Sequence, residues 1–329
     1  MSRRSQGTVP GATGLVLVGA LALGGCGAVA DDAPSPATTS SSPSGGTEAT
    51  PSAEPAPTPS DLGADVADEL AALEAAYDAR VGVHAVDTAT GDHVEHRADE
   101  RFAYASTIKA LAAGVLLQGQ PVSALDETLP VTAEDVEGAG WSPVTGSRVG
   151  TAMTVRELGA AAVSQSDNGA FNVLLRRIGG PEALQAALVE AGDTTTLVDA
   201  WEPELNHFTP GDPARTSTPR ALADGVAAFA LGDALDPAVR DVYVSWLTGS
   251  TTGDGTIRAG APEGWTVGSK TGTAGRYGSR NDVAVVWPPD GAPIVLAVLT
   301  DRAGMDDEPD DALLADVTAV VLGAFEAAG

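Results

Sequence analysis

The sequence predicts an α/β protein with an all-α lobe: an antiparallel sheet built from both chain ends, flanked by helices, with a helical domain inserted at about residues 105–250. Three observations carry that expectation. Short β-branched segments stand near the start of the folded region, at 81–86 and 93–97, and again near its end, at 266–270, 282–287 and 294–299. The stretch between them reads as successive helices. Helical periodicity also brackets the whole, at 61–79 and 310–327. Strands at both extremes place the two chain ends in one sheet and set a cleft at the seam with the lobe, where ligand sites tend to form.

Taken in order, the chain opens on a segment of different character. Arg3 and Arg4 precede a short apolar run from Gly14 to Leu23, too short for the roughly 20 apolar residues of a membrane span. The run ends in Leu23-Gly24-Gly25-Cys26, so residues 1–25 are expected to be an export signal. The ending resembles the bacterial lipoprotein processing box, which implies lipid attachment at Cys26 and anchoring to the membrane; an ordinary secretory signal with an incidental cysteine, which would leave the protein secreted, is the alternative. Residues 27–60 hold 7 Pro, 7 Ser and 5 Thr, with Val29 the only large aliphatic residue. Such a stretch buries too little apolar surface to offset its ordering entropy, so 26–60 is expected to be a mobile tether and 61–329 the functional domain.

Within that domain, Leu62, Val66, Leu70, Leu73 and Tyr77 recur at helical spacing. The strand at 81–86 leads through turn residues Asp87 to Asp92 into the strand at 93–97. Helices are expected at 106–118, 155–163, 168–178, 181–191 and 219–231, followed by the three late strands and the terminal helix.

Composition removes several functions. Eighteen basic residues against 45 acidic give a net charge of −27, the wrong sign for counterion release from nucleic acid or for docking a basic face on anionic lipid. Cys26 is the only cysteine, which rules out an intrachain disulfide and a cysteine-rich zinc site. His93 and His96 would point to opposite faces of their strand, so they make a poor metal pair. No metal and no cofactor is expected.

The sharpest signal is Ser106-Thr107-Ile108-Lys109, opening an apolar helical run. Three positions apart on a helix, the hydroxyl and the ammonium share a face. A desolvated lysine loses basicity and can take a serine proton without a histidine. Ser166-Asp167-Asn168 follows between two helical stretches, and Lys270-Thr271-Gly272 lies on a strand. Each triplet is weak alone; their order and spacing together resemble the serine penicillin-recognising enzymes. Trp201-Glu202-Pro203-Glu204-Leu205-Asn206, between the second and third triplets, is similar to the Ω-loop of class A β-lactamases. That resemblance covers residues 61–329.

It implies hydrolysis of β-lactam antibiotics by a monomer without cofactor. Ser106 would form the acyl-enzyme. Lys109 or Glu202 would be the acylation base, and Glu202 with Asn206 would activate the deacylating water. Ser166 would protonate the departing ring nitrogen, and Asn168 would bind the substrate's side-chain amide. Lys270, Thr271, Gly272 and Thr273 belong to the segment facing the substrate carboxylate, with the backbone N–H groups of Ser106 and Thr273 as oxyanion hole. Trp141 would line the cleft mouth. Arg280, on the strand expected to pair with that of Lys270, is preferred over Arg258 as a carboxylate ligand.

The sequence departs from the class A pattern in one place. The arginine and aspartate that close the Ω-loop are Ala200 and Arg215 here, so Asp199–Arg215 is expected to replace them with reversed polarity; the alternative is a looser loop that admits bulkier cephalosporins. A D-alanyl-D-alanine peptidase or a silent cell-wall binder are the competing readings; Glu202 and Asn206 argue against the first, and the intact set of catalytic side chains against the second.

Overall fold

A computed structural model describes residues 58–328. The expected signal at 1–25, Cys26 and nearly all of the expected tether lie outside the described residues. The nine strands are β1 (Arg80–Asp87), β2 (His93–His96), β3 (Phe102–Ala103), β4 (Thr128–Pro130), β5 (Ala152–Thr154), β6 (Thr216–Ser217), β7 (Thr266–Thr273), β8 (Arg280–Trp287) and β9 (Ile294–Asp301). The ten helices are α1 (Gly63–Tyr77), α2 (Ile108–Leu117), α3 (Ala133–Val136), α4 (Val155–Ser164), α5 (Asn168–Ile178), α6 (Pro181–Glu190), α7 (Pro219–Ala230), α8 (Pro237–Thr248), α9 (Ile257–Gly260) and α10 (Asp311–Ala328). Both counts are of the described residues.

The two ends of the folded region meet in one five-stranded sheet of order β2-β1-β9-β8-β7, antiparallel throughout. Side chains alternate across it, as the pleat requires. Val283, Val285, Val295, Ala297 and Leu299 face the helical lobe, while Ala284, Val286, Ile294, Leu296 and Val298 join a second core beneath α1 and α10. Both faces are therefore buried, which explains why these strands read as continuous apolar runs.

Local chemistry sets the helix starts. Thr154 and Glu157 form a reciprocal capping box at α4, and Thr218 caps α7 ahead of Pro219 in its first turn. Helix α8 is absent from the sequence expectation because its Val242-Tyr243-Val244 run has β character. Val239, Tyr243, Trp246 and Leu247 nevertheless bury one helical stripe. Strand β7 runs three residues beyond the expected end, to Thr273, and that extension brings it beside the nucleophile turn.

Candidate active site

Ser106 lies in a 3-10 turn, Ala105–Thr107, that leads directly into α2. Three contacts fix the turn. The Thr107 hydroxyl donates to the Tyr104 carbonyl at 2.6 Å, and Asn281 Nδ2 donates to the Ala103 carbonyl at 2.6 Å. Gly272 provides the third: a Cβ there would come within 2.8 Å of the Tyr104 oxygen and 3.1 Å of the Ser106 nitrogen. Only glycine lets β7 approach the nucleophile so closely. Ala105 holds φ at +47°, a left-handed conformation at the residue before the serine.

Lys109 is fully buried one turn along. The sequence pairs it with Ser106; in the structure its Nζ instead donates to Asn168 Oδ1 at 2.6 Å and to the Ser166 carbonyl at 2.9 Å, and meets Glu202 Oε1 at 2.9 Å. The Ser106 hydroxyl is turned to Glu202 Oε1, 3.5 Å away. Burial pushes the Lys109 ammonium below its ordinary pKa, opposed by the Glu202 charge. Asn206 Nδ2 donates to the other carboxylate oxygen, Glu202 Oε2, at 2.6 Å, while Asn206 Oδ1 is buried without a protein partner among the described residues.

Opposite stands a second buried lysine. Lys270 Nζ donates to Ser166 Oγ at 3.0 Å and to the Thr271 carbonyl at 2.7 Å. Burial lowers its pKa strongly, the Lys109 and Arg280 charges add to that, and Asp282 and Glu202 oppose it. Ser166, at φ +58°, thus presents its carbonyl to one lysine and its hydroxyl to the other. Asp167 caps α5 through Ala170 N and accepts from Val144 N, Thr145 N and the Thr145 hydroxyl, so the segment after Trp141 is fixed to the helix carrying Asn168. Asn168 also donates from Nδ2 to the Ala139 carbonyl at 2.6 Å.

Ser106, Ser166, Asn168 and Asn206 line a cleft of about 230 Å³ together with Thr271, Gly272, Thr273 and Arg280, and the buried Lys109, Glu202 and Lys270 stand directly behind them. Arg280 Nη1 donates to Thr273 Oγ1 at 3.1 Å, its Nη2 to the Thr252 carbonyl at 3.2 Å and its Nε to Asp311 at 2.5 Å. Arg258 instead braces the structure through the Ser250 and Val267 carbonyls and Asp254. Trp141, 63% exposed, stands at the mouth with its indole donating to the Gln165 carbonyl. All twelve predicted cleft residues are thus brought together.

Sequence reasoning missed Asn172. It grips the Glu202 backbone from both sides: Glu202 N donates to its Oδ1 at 3.1 Å, and its Nδ2 donates to the Glu202 carbonyl at 3.2 Å and to the Asp135 carbonyl. The available signal was an amide one helical turn beyond Asn168 on an otherwise apolar face. Thr252, whose hydroxyl lies 2.7 Å from that of Thr271, carried no signal. The expected reversed ion pair is present: Arg215 Nε donates to Asp199 Oδ1 at 2.9 Å and Nη1 to the His207 carbonyl at 2.8 Å.

A family model described as the beta-lactamase enzyme family matches residues 65–325. The chain is 46% identical over 265 residues to a beta-lactamase of Bacillus licheniformis, covering 80% of this chain and 85% of that protein. It is 50% identical over 260 residues to a beta-lactamase of Amycolatopsis lactamdurans, covering 79% and 85%. Its structure is similar to that of a class A beta-lactamase from Clostridium kluyveri, with a TM-score of 0.77, 41% identity and coverage of 80% and 99%. A beta-lactamase from Streptomyces albus G superposes with a TM-score of 0.76 and 42% identity, over 79% and 98%.

Proposed function

The chain belongs to the β-lactamase enzyme family and hydrolyses β-lactams as a class A serine enzyme, conferring resistance to these antibiotics; from that premise we propose how its residues divide the work. Ser106 is the nucleophile. Glu202 Oε1 is the acceptor toward which its hydroxyl is turned, 3.5 Å away, and takes its proton as the oxygen attacks. Lys109, with all three N–H bonds committed, has no lone pair to offer while protonated and acts by holding Glu202, Asn168 and Ser166 in place.

The serine oxygen adds to the lactam carbonyl, and the backbone N–H groups of Ser106 and Thr273 receive the oxyanion. The C–N bond then breaks, and Ser166 Oγ gives its proton to the ring nitrogen. Lys270, 3.0 Å away and weakened as a base by burial, replaces that proton. Asn168 keeps a second Nδ2 hydrogen for the substrate amide, and Thr273 and Arg280 hold the carboxylate. Before deacylation Glu202 gives up the proton taken from Ser106 and Lys270 regains the one it gave, so that acylation has moved one proton from Ser106 to the ring nitrogen. Glu202 then takes a proton from water that also donates to Asn206 Oδ1, and hydroxide adds to the ester carbonyl. The proton passes from Glu202 to Ser106 Oγ as the acyl group leaves.

The observation that carries this reading is the division of one carboxylate: Oε1 serves Ser106 and Lys109, and Oε2 serves Asn206. Following a chromogenic cephalosporin with the purified enzyme tests it. Many turnovers per Ser106 are expected, and a single stoichiometric burst overturns it.

We further propose that Cys26 carries lipid and that 61–329 is an exported, membrane-held catalytic domain acting as a monomer. Support for the anchor is the sequence alone; among the described residues no helix is long and apolar enough to cross a membrane. Lipid label retained by Cys26→Ala would contradict the anchor.

A further inference from the structure

Besides the two main cores, the domain holds a small apolar cluster: Ala103, Ala105, Phe208 and Ala274, with Tyr277 packed on its edge. Its members sit beside the three segments that carry the chemistry. Ala105 immediately precedes Ser106, Ala274 immediately follows Thr273, and Phe208 stands two residues after Asn206. Apart from Tyr277, the other apolar members of this cluster are all alanines, so the Phe208 ring is its one large buried side chain among the nucleophile turn, the end of β7 and the Glu202 loop. Its ring meets that of Tyr277 at a centroid distance of 5.2 Å and 59°. Tyr277 is itself held by backbone hydrogen bonds from its N–H to the Met305 carbonyl and from Arg302 N–H to its carbonyl. On the far side of the loop lies a hollow of about 410 Å³, walled by Phe208, Pro210, Pro213, Tyr277, Arg101 and Arg302.

We propose that Phe208 is a positioning residue that sets substrate specificity. Its ring fixes the distance between the Glu202–Asn206 turn and the end of β7, and so the room allowed to the substituent on the lactam ring. The hollow behind the loop is space into which the loop retreats when the ring is removed. Two consequences follow. Bulky oxyimino cephalosporins gain access, and the deacylating pair Glu202 and Asn206 loses its register. This inference rests on the roles assigned to Ser106, Glu202 and Thr273.

The test compares wild type, Phe208→Ala, Phe208→Leu and Tyr277→Ala on benzylpenicillin and cefotaxime, with Glu202→Gln alongside. For Phe208→Ala the ratio of kcat/KM, cefotaxime over benzylpenicillin, is expected to rise about tenfold or more. With benzylpenicillin, kcat and KM should fall together, because a slowed deacylation lowers both. Phe208→Leu should restore most of the wild-type ratio, and Tyr277→Ala should move it part of the way. A merely structural role lowers kcat on both substrates with KM unchanged. That pattern, or a ratio within about twofold of wild type, overturns the proposal. Should Phe208→Ala not fold, the graded ratios of Phe208→Leu and Tyr277→Ala decide it. If Glu202→Gln fails to accumulate acyl-enzyme, the site reading falls and takes this inference with it. A trapped acyl-enzyme with an unmoved ratio removes the role of Phe208 alone.

Discussion

Replacing Asn172 with alanine should damage deacylation out of proportion to acylation. The side chain is 6% exposed and makes three hydrogen bonds, two of them with the Glu202 backbone at 3.1 and 3.2 Å. Truncation leaves the Glu202 N–H and C=O buried without partners, at about 1–3 kcal/mol each, so a loss of roughly 2–5 kcal/mol is expected. The 199–215 loop can recover part of this by shifting to let water reach the freed groups. That shift is the functional injury, because a displacement of about 1 Å of a catalytic group costs on the order of 100-fold in rate. Ser106 is held by other elements, through Asn281, Thr107 and Gly272; its attack, which needs only Glu202 as proton acceptor, should slow less than deacylation, which needs Glu202 and Asn206 in register on one water. Denaturant titration gives the stability loss, and rapid-quench mass spectrometry with benzylpenicillin gives the two steps separately. A variant that is destabilised as expected but shows no acyl-enzyme accumulation would refute the reasoning.

Other perturbations follow from the same geometry. The Asp199–Arg215 pair is partly exposed, so Arg215→Ala should lower stability by only about 1 kcal/mol, read as a fall of roughly 2–4 °C in Tm. The swapped double variant Asp199→Arg/Arg215→Asp should recover most of that loss, and no recovery would contradict a pairwise clamp. Burial raises the Asp282 carboxyl to about 6, with the Thr256 and Ile257 hydrogen bonds opposing. The folded state therefore holds a proton that the unfolded state has released between about pH 4 and 6, and this group makes stability fall as pH rises through that window. Asp282→Asn should remove that fall, seen as urea midpoints that decline less than those of wild type across it; identical slopes would contradict the assignment.

How far the sequence could be read depended on whether a residue acts through its own motif or through its neighbours. The sheet formed from both chain ends was legible because its strands are short, β-branched and separated by helical periodicity. The cleft was legible because Ser106, Lys109, Ser166, Asn168, Glu202 and Lys270 stand at motif positions. What was not legible is who touches whom. Spacing alone joined Ser106 to Lys109, whereas burial brings Glu202 between them from a loop 96 residues away and turns the serine toward the carboxylate. Asn172 and Thr252 act by hydrogen bonds across the fold, and Phe208 by filling space among three distant segments; none of these leaves a local pattern. Helix α8 was missed for a different reason, since tertiary packing of one stripe overrides the β preference of its Val-Tyr-Val run.

The central claim is that one carboxylate, Glu202, releases the acyl group from Ser106. Its most direct test is the mass of Glu202→Gln after mixing with benzylpenicillin. Because glutamine keeps the shape of the side chain but can take a proton neither from Ser106 nor from water, acylation should slow and deacylation should slow further. The protein should therefore gain the mass of one intact penicillin more slowly than wild type is acylated, hold it for many wild-type turnover times, and carry it on the peptide containing Ser106. Release at the wild-type rate, or a label on any other residue, would contradict the account.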